Sequence, residues 1–266
     1  MTAEPSFPML QIKWAADHII VVTMNRPEAA NALNTQMGRD LYRFFEDLAA
    51  DLGEARCVVL TGAGERHFCA GGDLVERTGM SDVAWRRQHA VFERMVRAIL
   101  DCPVPVIGAV NGAAFGGGCE IAACCDFLYA SDNASFALSE VRLGIMPGGG
   151  GTQNLPRAMG ERRAKELILT GRPFDATQAM EWGLVNAVHQ LAGLMKAALE
   201  TAESIAGNGP ISVRQAKKSV HRGLQMSLRD GLAFELECYD RMVPTEDRHE
   251  GTLAFREKRR PAFQGR

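Results

Sequence analysis

The sequence predicts an α/β protein, and three observations carry that prediction. Short β-branched apolar runs alternate with stretches of helical spacing up to about residue 150. Several of the runs lead into glycine-rich loops, "CAGGDL", "NGAAFGGGCE" and "MPGGGGTQ". After "PGGGGTQNLPR" the pattern turns mostly helical.

The elements follow in order. "HIIVVTMN" (residues 18–25) is β-branched and apolar and reads as a strand; "RPEAANALN" follows as a turn-rich loop. "TQMGRDLYRFFEDLAADL" places Met37, Leu41, Phe44, Phe45 and Leu48 at helical spacing. "CVVLTG" is a short buried strand, and "AGERHFCAGGDL" reads as a loop. Residues 83–101 form a long helix with Val91, Met95, Val96 and Ile99 inward. "VPVIGAVNG" is a strand ending in Asn-Gly, followed by the glycine triplet and a helix running through Cys125. "FLYA" and "SFAL" are strands. "GERRAKELILTG", "DATQAMEWG" and residues 192–207, 210–225, 228–242 and 246–258 read as helices, with "WGLVNAVH" the one strand candidate among them. Strand-loop-helix units recur loosely, without a clean tandem repeat.

A chain of 266 residues suits one large domain with or without an appendage. Its net charge of -2 gives no global attraction to nucleic acid or anionic membrane. The seven cysteines sit mostly in apolar runs such as "IAACCDF" and include no CxxC, which fits buried free thiols in a reducing compartment. The six histidines are scattered, so no zinc-ligand spacing occurs. "MTAEPSFPML" lacks a basic start and an apolar core, and no apolar stretch is long enough to span a bilayer. These features predict a cytoplasmic protein.

The glycine loops match neither GxxxxGK[ST] nor GxGxxG, so nucleotide phosphate is not indicated. Glycines before a helix also free backbone N–H groups at its positive end, and two such groups aimed at one point form an oxyanion hole. Close strand-helix packing explains the same glycines equally well. Glu120, at the seam of "FGGGCEIAAC", can serve its helix through the dipole. Its apolar surroundings instead predict a desolvated carboxyl with a raised pKa, suited to acid-base work. Glu140, in "FALSEVRLGIMPGGGG", has a similar setting. A separation of twenty residues does not by itself show that the two acids meet.

The segments "NRPEAANAL", "FCAGGDL", "AVNGAAFGGGCEIAACCDF", "FALSEVRLGIMPGGGGTQNLPR", "WGLVN" and "EDRHEGTLAFREKRRPAF" together resemble the crotonase superfamily, the enoyl-CoA hydratase/isomerase family, over nearly the whole chain. The resemblance implies a crotonase-like spiral of ββα units over residues 1–195, and a helical C-terminal trimerisation segment over 196–266. It implies a homotrimer, or a hexamer built as a dimer of trimers. It also implies an acyl-CoA thioester substrate, as in fatty-acid β-oxidation, with no metal or redox cofactor; coenzyme A is part of the substrate. The net charge, not the resemblance, argues against a nucleic-acid or membrane partner. Gly72 and Gly117 match the oxyanion-hole positions, and Glu120 and Glu140 match the two hydratase glutamates. Ala70, Gly71, Asp73 and Leu74 match the loop lining the CoA and acyl region. Gly148 matches a glycine near the catalytic water, and Lys258 a basic position that approaches CoA phosphate.

The implied reaction is reversible syn hydration of a 2-trans-enoyl-CoA to a 3-hydroxyacyl-CoA through an enolate. Double-bond isomerisation, or hydration of a branched, dicarboxylic, aromatic or alicyclic enoyl-CoA, remains open within the same fold. The acyl-pocket segment "VERTGMSDVAWRRQHAVFERM" does not reveal chain length. An RNA-binding branch of the superfamily uses a lysine-rich early helix. Here that helix mixes Asp40, Glu46, Asp47, Asp51 and Glu54 with Arg39, Arg43 and Arg56, so it has no basic stripe.

Overall fold

The computed structural model describes residues 7–266. The absence of a leader pattern in "MTAEPSFPML" falls largely on residues 1–6, which lie outside the described residues.

The chain opens with a hairpin that the sequence shows only by half. β1 (Leu10–Ala16) pairs antiparallel with β2 (Ile19–Met24), turning at His18, where φ is +68°. β1 is an edge strand with only Leu10 buried, so its sequence lacks the apolar alternation that betrays a strand. α1 (Thr35–Ala50) starts at Asn34, whose side chain accepts the Met37 N–H at 2.7 Å. The residues expected inward, Met37, Leu41, Phe44, Phe45 and Leu48, are all buried.

A repeating unit then lays one strand in each of two sheets before a helix. β3 (Cys57–Gly62) and β4 (His67–Cys69) precede α2 (Leu74–Arg77) and α3 (Asp82–Leu100). β5 (Val106–Val110) and β6 (Ala113–Phe115) precede α4 (Gly117–Cys124). β7 (Phe127–Ser131) and β8 (Ser135–Ala137) precede a 3-10 turn (Glu140–Leu143), then α5 (Gly151–Met159) and α6 (Glu161–Thr170). β9 (Phe174–Asp175), α7 (Ala176–Glu181) and β10 (Ala187–His189) complete the sheets. The larger sheet has the order β1-β2-β3-β5-β7-β10 and the smaller β4-β6-β8-β9. Each turn of the chain therefore advances both sheets by one strand, which is the predicted ββα spiral.

The sequence reading places β4 inside a loop and passes over β6, α2 and α5. Three-residue strands are too short to display a period. In α5 the glycine run and the internal Pro156 break the helical pattern.

Strands β2, β3, β5 and β7 are parallel, and β3 and β5 are buried along their whole length. Side chains alternate between the two faces. Cys57, Val59, Ile107 and Ala109 meet Leu194, Ala198, Ala202 and Ala206 of α8 (Leu191–Ala206). Val58, Leu60, Val106 and Val110 face the main core. The alanines at four-residue spacing let α8 lie close on the sheet. α9 (Pro210–Gly223), α10 (Leu228–Asp240) and α11 (Glu246–Glu257) follow. Along α10, Leu228, Leu232, Leu236 and Tyr239 are exposed. Among the described residues no helix is long and apolar enough to cross a membrane.

Candidate active site

Strands β4, β6 and β8 are parallel neighbours, so their carboxyl ends lie side by side. The loop of residues 70–73 leaves β4, the glycine triplet leaves β6, and the turn bearing Glu140 leaves β8. The Gly116 N–H donates to the Ala137 carbonyl at 2.8 Å and ties the second end to the third. Sheet pairing thus joins segments that the sequence keeps far apart.

The two glycine loops meet backbone to backbone. Gly71 has φ +90°, and a Cβ there would lie 2.6 Å from the Phe115 carbonyl oxygen and 3.2 Å from the Gly117 nitrogen. Only glycine tolerates both the φ and the approach. Leu33 bridges this loop: its N–H donates to Gly71 O at 2.8 Å, and its carbonyl accepts the Asp73 N–H at 2.9 Å. A parallel bridge of this kind turns the intervening Gly72 N–H away from Leu33. Gly117 is the first residue of α4, where the N–H has no intrahelical acceptor. Among the described residues neither the Gly72 nor the Gly117 N–H finds an acceptor, and both glycines line one cavity of about 780 Å³. That volume lies within the roughly 300–1,000 Å³ of small-molecule sites.

Glu120 reaches the same cavity from the first turn of α4 and is 5% exposed. Its Oε1 accepts the Gly149 N–H at 2.7 Å and the Gly151 N–H at 2.9 Å. Burial raises its pKa, while the two amides and the charge of Arg77 oppose the rise. A Cβ on Gly149 would lie 2.6 Å from Oε2, so the glycine run lets the backbone close over the carboxylate.

Glu140 is half-buried at the start of its 3-10 turn. Among the described residues neither of its carboxyl oxygens has a hydrogen-bond partner. Burial, with a smaller contribution from the Glu120 charge, pushes its pKa up to about 7. The two acids differ in kind: Glu120 is anchored by backbone amides, whereas both Glu140 oxygens remain available to another donor or acceptor.

Of the other expected residues, Ala70, Gly71, Leu74 and Gly148 line the cavity. Asp73 does not. Its carboxylate caps α2 by accepting the Val75 and Glu76 N–H groups and pairs with Arg26 at 3.1 Å. Lys258 terminates α11 in a left-handed conformation, is exposed, and is not among the residues lining the cavity. Arg77, Trp85, His89 and Phe92 all line the cavity; the sequence reading placed their segment in the acyl-pocket region without singling out any of the four. Trp85, His89 and Phe92 follow four- and three-residue steps along α3, so their shared face was readable once that helix was accepted. Arg77 sits on a four-residue helix that no periodicity announces.

The enoyl-CoA hydratase/isomerase family model matches residues 15–266. The short-chain-enoyl-CoA hydratase of Clostridium acetobutylicum is 42% identical over 91% of this chain and 92% of its own. Human mitochondrial methylglutaconyl-CoA hydratase is 38% identical over 93% of this chain and 74% of its own. The crystal structure of an enoyl-CoA hydratase from Bacillus anthracis superposes with a TM-score of 0.95 at 42% identity, covering 97% of this chain and all of that one. By the family model over residues 15–266 and by these relatives, the chain belongs to the enoyl-CoA hydratase/isomerase family.

Proposed function

We propose that the protein is an enoyl-CoA hydratase that adds water reversibly to a 2-trans-enoyl-CoA and gives a 3-hydroxyacyl-CoA. The observation that carries this reading is the convergence of two unused backbone N–H groups and two carboxyls of raised pKa on one cavity. The thioester oxygen accepts from the Gly72 and Gly117 N–H groups. These donors strengthen as negative charge moves onto that oxygen, so they lower the barrier to the enolate. Glu120, ionised and oriented by Gly149 and Gly151, takes a proton from water as its oxygen attacks the β-carbon. Glu140, protonated, gives its proton to the α-carbon. Dehydration reverses both roles.

Coenzyme A enters as part of the substrate, and the chemistry needs no further cofactor. The exposed row Leu228, Leu232, Leu236 and Tyr239 supports assembly through the C-terminal helices into a trimer or a dimer of trimers. The seven cysteines are all free, which supports a reducing compartment such as the cytoplasm.

The test is product analysis after incubation with crotonyl-CoA. Hydration yields a thioester heavier by one water. A product that is only a double-bond isomer of the substrate sinks the hydratase reading.

A further inference from the structure

The wall of the cavity carries a cation with no hydrogen-bonded anion, while the charges of Glu76, Glu120 and Glu140 act on it only through space. Arg77 lines the cavity, and its guanidinium lies 4.4 Å from the Trp85 ring centre and 5.5 Å from that of Phe92. Its Nη1 is 3.0 Å from where a Cβ on Gly72 would sit. Its Nε donates to Gln88 Oε1 at 2.8 Å. Gln88 is itself held, because its Nε2 donates to Thr35 Oγ1 at 2.9 Å and to Glu76 Oε2 at 2.8 Å. The guanidinium plane is therefore fixed by two aromatic rings and a relay of hydrogen bonds.

The acids on its own short helix are engaged elsewhere. Glu76 Oε2 also accepts the Thr35 N–H at 2.8 Å, and Asp73 pairs with Arg26. Among the described residues Arg77 makes no ion pair, and its two terminal nitrogens have no acceptor. An arginine offers five donors in a planar fork. Arg77 is half-buried; desolvation lowers its pKa and the charges of Glu76, Glu120 and Glu140 oppose that, but none of the three bonds the outer edge of the fork. A carboxylate is the ligand that fits the fork with two parallel hydrogen bonds. The rest of the wall is mainly apolar, with Phe92, Met95 and Val96 beside it, so a plain alkyl chain gives this cation nothing.

We propose that Arg77 is a specificity-determining residue that binds a carboxylate on the acyl part of the substrate. The preferred enoyl-CoA is then one whose acyl chain ends in a second, anionic carboxyl group. This inference rests on the enoyl-CoA hydratase reading of the site. The rival role, in which Arg77 only holds the Gly72 loop and biases the two glutamates, makes no distinction between acyl chains of equal length.

The experiment uses saturated thioesters, which the enzyme cannot turn over. Affinities of the wild-type protein, Arg77→Met and Arg77→Lys are measured calorimetrically for glutaryl-CoA against pentanoyl-CoA and adipyl-CoA against hexanoyl-CoA. The wild type is expected to bind the carboxylated member of at least one pair at least tenfold more tightly. Arg77→Met removes that preference, and Arg77→Lys keeps only part of it, having the charge without the fork. Equal wild-type affinity within both pairs overturns the proposal and requires no variant to fold. Retention of the full preference in Arg77→Met overturns it as well. The corresponding 2-enoyl thioesters are then assayed for hydration. Preference without hydration defeats the hydratase reading and leaves the carboxylate site standing. Hydration without preference defeats the carboxylate site alone.

Discussion

Glu120 holds two places in this protein, one structural and one chemical, and paired substitutions separate them. Its Oε1 is the acceptor for two buried backbone N–H groups, at 2.7 and 2.9 Å. Glu120→Gln keeps a carbonyl oxygen at that point, so both amides stay satisfied. Glu120→Ala leaves both without an acceptor, at about 1–3 kcal/mol each, and water entering from the cavity offsets part of the loss. A net destabilisation of about 2 kcal/mol follows, or roughly 4–8 °C in melting temperature for a chain of this size. Glu120→Gln should melt within about 1 kcal/mol of the wild type. Both variants lack the base, and hydration should fall by about 10²–10⁴-fold in each. Thermal unfolding of the three proteins beside crotonyl-CoA hydration rates provides the comparison. Glu120→Gln hydrating at the wild-type rate refutes the chemical role. Glu120→Ala melting together with Glu120→Gln refutes the anchoring by Gly149 and Gly151.

Other consequences are equally open to measurement. The pKa of Glu140 is raised to about 7, so its protonated form, which hydration requires, declines as pH rises. Hydration kcat/KM should therefore fall above about pH 7 with an inflection that Glu140→Gln lacks. The same shift affects stability. The native state holds the Glu140 proton more tightly than the unfolded chain, so this group's contribution is present at low pH and is lost as pH rises from 4.5 to about 7. Denaturant titrations across that window should show a shallower pH slope for Glu140→Gln. Gly71→Ala places a Cβ 2.6 Å from Phe115 O at a φ of +90°, costing about 1–3 kcal/mol and separating the Gly72 and Gly117 amides. Its kcat should fall by about 10²-fold or more, with the melting temperature lowered in parallel. Asn31 is fully buried at φ +54°, accepts the Arg26 N–H and donates to Ala63 O and His67 O. Asn31→Ala should cost about 1–3 kcal/mol by urea unfolding, since three partly buried backbone groups lose their partner.

How much of this was legible in the sequence depended on length and on pairing. α1 and α3 have enough turns for their apolar spacing to stand out, and β3 and β5 are continuous apolar runs bounded by turns. β4, β6 and α2 occupy three or four residues each, which is less than any period needs, yet they carry the site. The charge misfit at Glu120 signalled a special environment, and the structure gives its cause in the Gly149 and Gly151 amides. The meeting of Glu120 with Glu140 depends on β6 lying beside β8, a fact of sheet order that twenty residues of spacing do not encode. Asp73 matched a family position, but its side chain holds Arg26 and the start of α2, because a short acid before a helix finds free N–H groups there first. Arg77 lies in the segment that the resemblance marks as the acyl pocket, but nothing in the sequence singles it out from its neighbours until Trp85 and Phe92 are seen to stack against it.

The central claim is that Glu140 serves as the proton donor opposite the amide-anchored Glu120. The most direct measurement is crotonyl-CoA hydration by Glu140→Gln, followed as loss of the enoyl-thioester absorbance, beside its affinity for a saturated acyl-CoA. The account predicts that most of the hydration disappears while affinity stays close to that of the wild type. Hydration at the full wild-type rate by the folded variant contradicts it.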